Sequence, residues 1–174
     1  MQHRFLYALL AVAPFVGASP AFAAEEPTLL GAFRDWHVYA AGSGAERTCF
    51  AVSPPKEMTP AGVTRGGVFF MITSWPARNV HNQPSVVPGH PYKEMSMTTV
   101  QVGGDKFTFF TKNDGSAGGA WMETPDDEQK LIAAMRRGSA MSVTGTSARG
   151  TLTRDNYSLA GISAALEKLT TDCK

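Results

Sequence analysis

The sequence is poor in the residues from which most active sites are built. Cysteine occurs twice in 174 residues, at Cys49 and Cys173, and histidine four times. There is no C-x-x-C, no H-E-x-x-H, no zinc-ligand spacing, no P-loop and no dinucleotide fingerprint. Motif-borne metal hydrolysis, nucleotide binding and thiol redox chemistry therefore have nothing to rest on. An excess of one charge is missing too, since 16 basic side chains face 15 acidic ones. A near-neutral chain without a basic stripe offers little to a phosphate backbone or an anionic membrane, and nucleic acid is not an expected partner.

The one sustained apolar run is at the very start. Residues 1–23, MQHRFLYALLAVAPFVGASPAFA, have a basic opening (His3, Arg4), an apolar centre and a small-x-small ending at Ala21-Phe22-Ala23. That pattern predicts a secretory signal peptide cut after Ala23, leaving residues 24–174 as a single domain. Pro14 and Pro20 interrupt the run, which is short for a membrane anchor. No transmembrane anchor is expected after cleavage. An exported chain with two cysteines predicts one disulfide, Cys49–Cys173, with two separate buried thiols as the alternative. Closing so long a loop is worth roughly 5 kcal/mol in the chain-entropy picture.

Short apolar runs punctuated by turn residues follow. Residues 24–32 read as a loose leader, 33–39 (FRDWHVY) as a first strand and 47–53 (RTCFAVS) as a second. A polar connection, 54–65, precedes 67–74 (GVFFMITS), expected to be a strand buried on both faces. Residues 76–91 carry Pro76, Pro84, Pro88 and Pro91 and read as one long loop. Strands are expected at 92–102, 106–111, 120–123, 139–146 and 150–156. Thr124-Pro125-Asp126-Asp127 is a helix start, Arg136-Arg137-Gly138 its end, and Leu131, Ile132 and Met135 its buried side. In the last stretch Leu159, Ile162, Leu166, Leu169 and Cys173 recur at steps of three and four, so they share one helix face, with Ser158 as its cap. Strands joined by tight turns, without a βαβ rhythm, give a mainly all-β fold: an antiparallel two-layer sandwich or flattened barrel with two short helices.

Few residues suggest a site. Ser147 lies in GTSARG, which lacks the spacing of a nucleophile elbow and reads as a turn. His81, His90, Met95 and Met97 are the one set with soft-metal chemistry, since thioethers and imidazole suit copper, though methionines on a strand equally suit a core. The polar side chains of the proline-rich loop, Arg78, Asn79, His81, Asn82 and Gln83, form a candidate partner-binding loop, with a passive surface loop as the alternative. No catalytic residue and no cofactor is expected.

Several segments together carry a family resemblance: FRDWHVY, RTCFAVS, the LIAAMRRG helix end, MSVTGTSARGTLTRDNYSLAGISAAL and the terminal cysteine. In their order they resemble the invasion-associated locus B family over essentially all of residues 24–174. The resemblance implies an exported bacterial protein with an immunoglobulin-like β-sandwich, in a family associated with virulence through host-cell invasion and without attributed catalytic residues. It implies a periplasmic, envelope-associated or secreted protein that binds a protein or cell-surface ligand. A periplasmic copper-binding protein is the alternative. Some members carry an extra cysteine in the first strand, where this chain has Tyr39, so a second bridge is not implied.

Overall fold

The computed structural model describes residues 26–174. The signal peptide and its cleavage point lie outside them. Eleven strands form among the described residues: β1 (Thr28–Phe33), β2 (Trp36–Ala41), β3 (Thr48–Ser53), β4 (Glu57–Thr59), β5 (Phe69–Trp75) and β6 (Val80–Val87). After them come β7 (Met97–Val102), β8 (Asp105–Asp114), β9 (Ala117–Trp121), β10 (Ala140–Thr146) and β11 (Leu152–Ser158). Helix α1 (Pro125–Arg137) separates β9 from β10, and α2 (Ile162–Asp172) ends the chain.

All the strands belong to one antiparallel sheet, in the order β1-β2-β3-β5-β6-β9-β8-β7-β10-β11-β4. Flat, such a sheet would hold β5 and β11 six strand spacings apart, about 29 Å at roughly 4.8 Å each. Instead Phe70 of β5 meets Tyr157 of β11 with ring centroids 6.0 Å apart, and Phe109 of β8 at 6.3 Å. The sheet is therefore rolled, and its two halves form two layers over one core. The roll is pinned where β2 meets the exit of β11: Trp36 Nε1 donates to the Ser158 carbonyl at 3.1 Å and the Asp35 amide to the Ala160 carbonyl at 3.3 Å.

The helices form as their sequences predict. Thr124 caps α1 by accepting the Asp127 amide at 3.2 Å, three acidic residues occupy its first turn and two arginines its last. Gly138, at φ −84°, is not a left-handed cap; a Cβ there would meet Val102 at 2.6 Å and Leu159 at 2.9 Å, so close approach requires the glycine. On α2, Ile162, Leu166 and Leu169 are buried against β1, β2 and β3, each worth about 1.5–3 kcal/mol. Ser158 is not the cap of α2. That place belongs to Gly161 at φ 95°, and the Ser158 hydroxyl accepts the Ala160 amide instead.

Several expectations are corrected. The leader 24–32 contributes most of β1, because Thr28–Phe33 forms a hairpin with β2 across Arg34, at φ 55°. Residues 33–39 are thus a hairpin turn and one strand, and the connection 54–65 contains β4 at the far edge of the sheet. β5 is not covered on both faces throughout, since Phe69 is 37% exposed.

The largest correction is at 76–91. Only residues 76–79 and the residues after Val87 lie outside regular strand; the centre is β6, paired with β5 from Phe69↔Val87 to Trp75↔Val80. Pro84 is tolerated because β9 pairs with β6 only at Ser85 and Val86, so no neighbour on that side asks for its missing N–H. The segment is a wall of the roll, and exchanging 78–89 for a short Gly/Ser link would delete a strand.

Candidate functional site

The proposed binding residues cluster at the tip and first half of the β5–β6 hairpin. Arg78 and Asn79 form its exposed turn, with Asn79 left-handed at φ 53° and its amide donating to the Pro76 carbonyl at 3.0 Å. His81 is exposed, its Nε2 3.3 Å from Asn79 Oδ1. Asn82, at φ 56°, donates its amide to Ser74 Oγ at 3.0 Å where the register of β5 and β6 shifts. This places His81 and Asn82 opposite α1, with a groove of about 390 Å³ between them and Pro125, Glu128, Ile132 and Arg136. Burial raises the Glu128 carboxyl above its ordinary range, and the neighbouring Gln83 side chain partly offsets the rise. The groove thus offers amides, an imidazole and the Arg136 cation. It suits hydrogen-bonded recognition of a polar surface.

The soft-metal set is not assembled. His81 faces α1, whereas His90 lies beyond the other end of β6, beside Gly118 and the β10–β11 turn. Met97 sits on β7, in one row with Phe110, Trp121 and Ser85, three strand spacings or about 14 Å from β6. Met95 does not share its strand face; it lies in the preceding turn at φ 56° and is 98% exposed. Copper coordination by these four side chains has no geometric basis.

Cys49 and Cys173 are joined as a disulfide, both buried, tying β3 to the end of α2. Ser147 lies in the β10–β11 turn, its Oγ accepting the Thr151 amide at 3.2 Å.

One constellation escaped sequence reasoning. Arg65, from the segment between β4 and β5, forms a bidentate ion pair with Asp155 on the inner face of β11, the second contact being Nη1–Oδ2 at 3.1 Å. Both side chains are almost fully covered. Tyr157 and Tyr92 lie in the same region. Burial, with Asp155 adding its charge, pushes the Tyr157 phenol up, and burial pushes Tyr92 up to about 12. Asp155 was findable: it alternates in phase with Thr153 and Tyr157 along β11, all three buried. Arg65 carries no such local signal, because its partner is 90 residues away.

The family model of the invasion associated locus B (IalB) protein matches residues 36–170. No curated protein matches the chain. Among solved structures, the crystal structure of invasion associated protein B from Bartonella henselae is similar, with a TM-score of 0.55 and 15% identity. The match covers 81% of this chain and 95% of that one. At that identity the likeness speaks for the fold, a mainly antiparallel β architecture with two helices, the last near the C-terminus. Among the described residues no helix is long and apolar enough to cross a membrane. With the family model matched from β2 into α2, the chain belongs to the invasion associated locus B family.

Proposed function

We propose that the protein is exported by cleavage after Ala23, acts as a single domain of residues 24–174 in the periplasm or envelope, and works by binding, without catalysis. The observation that carries this reading is the buried Cys49–Cys173 disulfide, a bond that persists in oxidising compartments and is rare in the cytosol. The family supports envelope association. Arg78, Asn79, His81, Asn82 and Gln83, beside the α1 groove, present the surface offered to a protein or cell-surface partner. Host-cell invasion and envelope upkeep are the two settings in which such capture would act.

Intact-mass measurement on protein from the periplasmic fraction tests export: a mature chain beginning at Ala24 is expected, and retention of Met1 there would overturn it. Crosslinking in the native envelope tests capture. A discrete adduct that weakens in a combined Arg78→Ala, His81→Ala variant is expected; an adduct of unchanged yield would remove the hairpin from the proposal.

A further inference from the structure

At the end of β6 remote from α1 lies a second cavity, of about 390 Å³, whose walls include Arg65, His90, Ser147, Arg149, Thr151 and Thr153. None of its lining residues is acidic. Asp155, on the same face of β11 as the lining residue Thr153, is neutralised by Arg65. Arg149 is exposed and has no ion pair or side-chain hydrogen bond among the described residues, so its charge is the uncompensated one at the cavity.

The turn carrying Arg149 is held from several directions. The Ser147 amide donates to the Thr151 carbonyl at 2.9 Å, the Gly150 amide to the Ser147 carbonyl at 2.8 Å, and the Ala148 amide to the Pro91 carbonyl at 2.9 Å. Ser147 Oγ accepts from the Thr151 amide, and its own proton has no acceptor among the described residues. The segment that follows the lining residues His90 and Pro91 is equally fixed. Asn113 bonds both backbone groups of Tyr92 at 2.8 Å, and the Tyr92 ring lies so close to Gly145 that a Cβ there would meet it at 2.7 Å. His90 packs edge-on against Tyr92, its Nδ1 3.0 Å from the Pro91 carbonyl, which can only accept. His90 Nε2 is buried without any partner among the described residues. A free hydroxyl proton and an unpaired guanidinium therefore meet at one preorganised cavity, with the buried Nε2 of the lining residue His90 left in deficit.

We propose that this cavity binds a small tetrahedral oxyanion, a phosphate group carried either by the free ion or by a small ester. Arg149 supplies the charge and a planar fork of donors, Ser147 a further donor, and the turn holds both in place before the ligand arrives. Near neutral pH inorganic phosphate keeps a proton, which makes it a donor as well as an acceptor and suits a wall that offers both. The site is separate from the hairpin surface and does not depend on it.

Amide and imidazole NMR shifts of the oxidised protein, followed at constant ionic strength, test the proposal with inorganic phosphate and glycerol 3-phosphate as probes. Saturable shifts at residues 89–92 and 147–151 are expected with at least one probe, and the tighter of the two identifies free ion or ester. Arg149→Ala, at an exposed position, should weaken binding about tenfold or more. His90→Asn, which can keep the bond to the Pro91 carbonyl, should also weaken it. Lys130→Ala on α1 should leave it unchanged. Absence of saturable shifts with both probes at 10-fold the protein concentration and above, up to ~20 mM in the millimolar range of weak sites, would overturn the proposal. So would binding that Arg149→Ala leaves intact.

Discussion

Where α2 meets β3 and where the 60–68 segment meets β11, the same rolled sheet is closed in opposite ways. The first contact is apolar and covalent: Ile162, Leu166 and Leu169 cover β1, β2 and β3, and the Cys49–Cys173 bond fastens the helix end. The second is polar and non-covalent, built on Arg65, Asp155, Tyr92, Tyr157 and His90. Among the described residues the buried side-chain atoms without a partner are His90 Nε2, Thr98 Oγ1 and the Tyr157 hydroxyl; His90 packs on Tyr92, Thr98 lies beside Gly145 and Tyr157 meets Phe70. Each such atom costs about 1–3 kcal/mol relative to a satisfied one. Departures from the most stable filling collect where residues answer to a demand other than stability. The α2 contact holds the fold, and the Arg65–Asp155 contact holds a cavity.

The largest effect should come from breaking the polar contact. Asp155→Ala leaves the Arg65 guanidinium buried and unpaired, and we expect a loss of about 3–5 kcal/mol in urea unfolding. Replacing both partners, Arg65→Met with Asp155→Leu, should recover most of it, since the pair's mutual attraction mainly repays its own desolvation. A single variant that loses under ~1 kcal/mol, the size of a surface pair, would remove the ion pair from the structural account. At the other contact, Cys173→Ser should cost about 2–4 kcal/mol, and reducing the native protein should lower its stability by a similar amount. Equal melting of oxidised and reduced protein would show that apolar packing alone fastens α2.

Alkaline pH separates the two regions without mutation. The folded state raises the Tyr92 phenol from 10 to about 12 and Tyr157 in the same direction, so both keep protons that the unfolded chain releases above pH 10. Their contribution is whole below pH 10 and is lost as pH rises through the folded values. For Tyr92 the loss should reach about 2–3 kcal/mol between pH 10 and 12. Tyr92→Phe should flatten that limb in denaturant titrations at pH 8 and pH 11. An unchanged limb would mean that the phenol opens to water before it ionises.

The two regions also differed in how far the sequence could be read. At α2, Leu159, Ile162, Leu166, Leu169 and Cys173 repeat at helical spacing, and all are buried. Local periodicity suffices where one face meets one core. The same holds for the Thr124 cap, and the alternation of Thr153, Asp155 and Tyr157, though not drawn on, is local in the same way. It fails at β6, where prolines pointed to a loop: whether Pro84 breaks a strand depends on how far β9 extends beside it, which is set at residues 120–121. The residues offered as a candidate partner-binding loop were likewise placed on a loop, whereas His81, Asn82 and Gln83 lie on β6 with α1 beside them. The Arg65–Asp155 pair and the cavity beside it were illegible for the same reason, being assembled from the segments around 65, 90 and 150.

The smallest effect is the sharpest test of what the polar contact is for. Tyr157 is 1% exposed, its ring meets Phe70 at 6.0 Å, and its hydroxyl has no partner among the described residues. Tyr157→Phe removes only that hydroxyl and keeps the ring contact. If stability alone had chosen the residue, the deletion would cost the usual ~1 kcal/mol of a lost hydrogen bond. With no bond to lose, the exchange should instead be neutral or stabilising by about 1 kcal/mol. Urea unfolding at pH 7 reads the difference, with Leu166→Ala as the contrasting change at α2, where a loss of about 2–5 kcal/mol is expected. A clear loss on Tyr157→Phe would show that the hydroxyl has found a water or a neighbour, and that the polar contact is as fully satisfied as the apolar one.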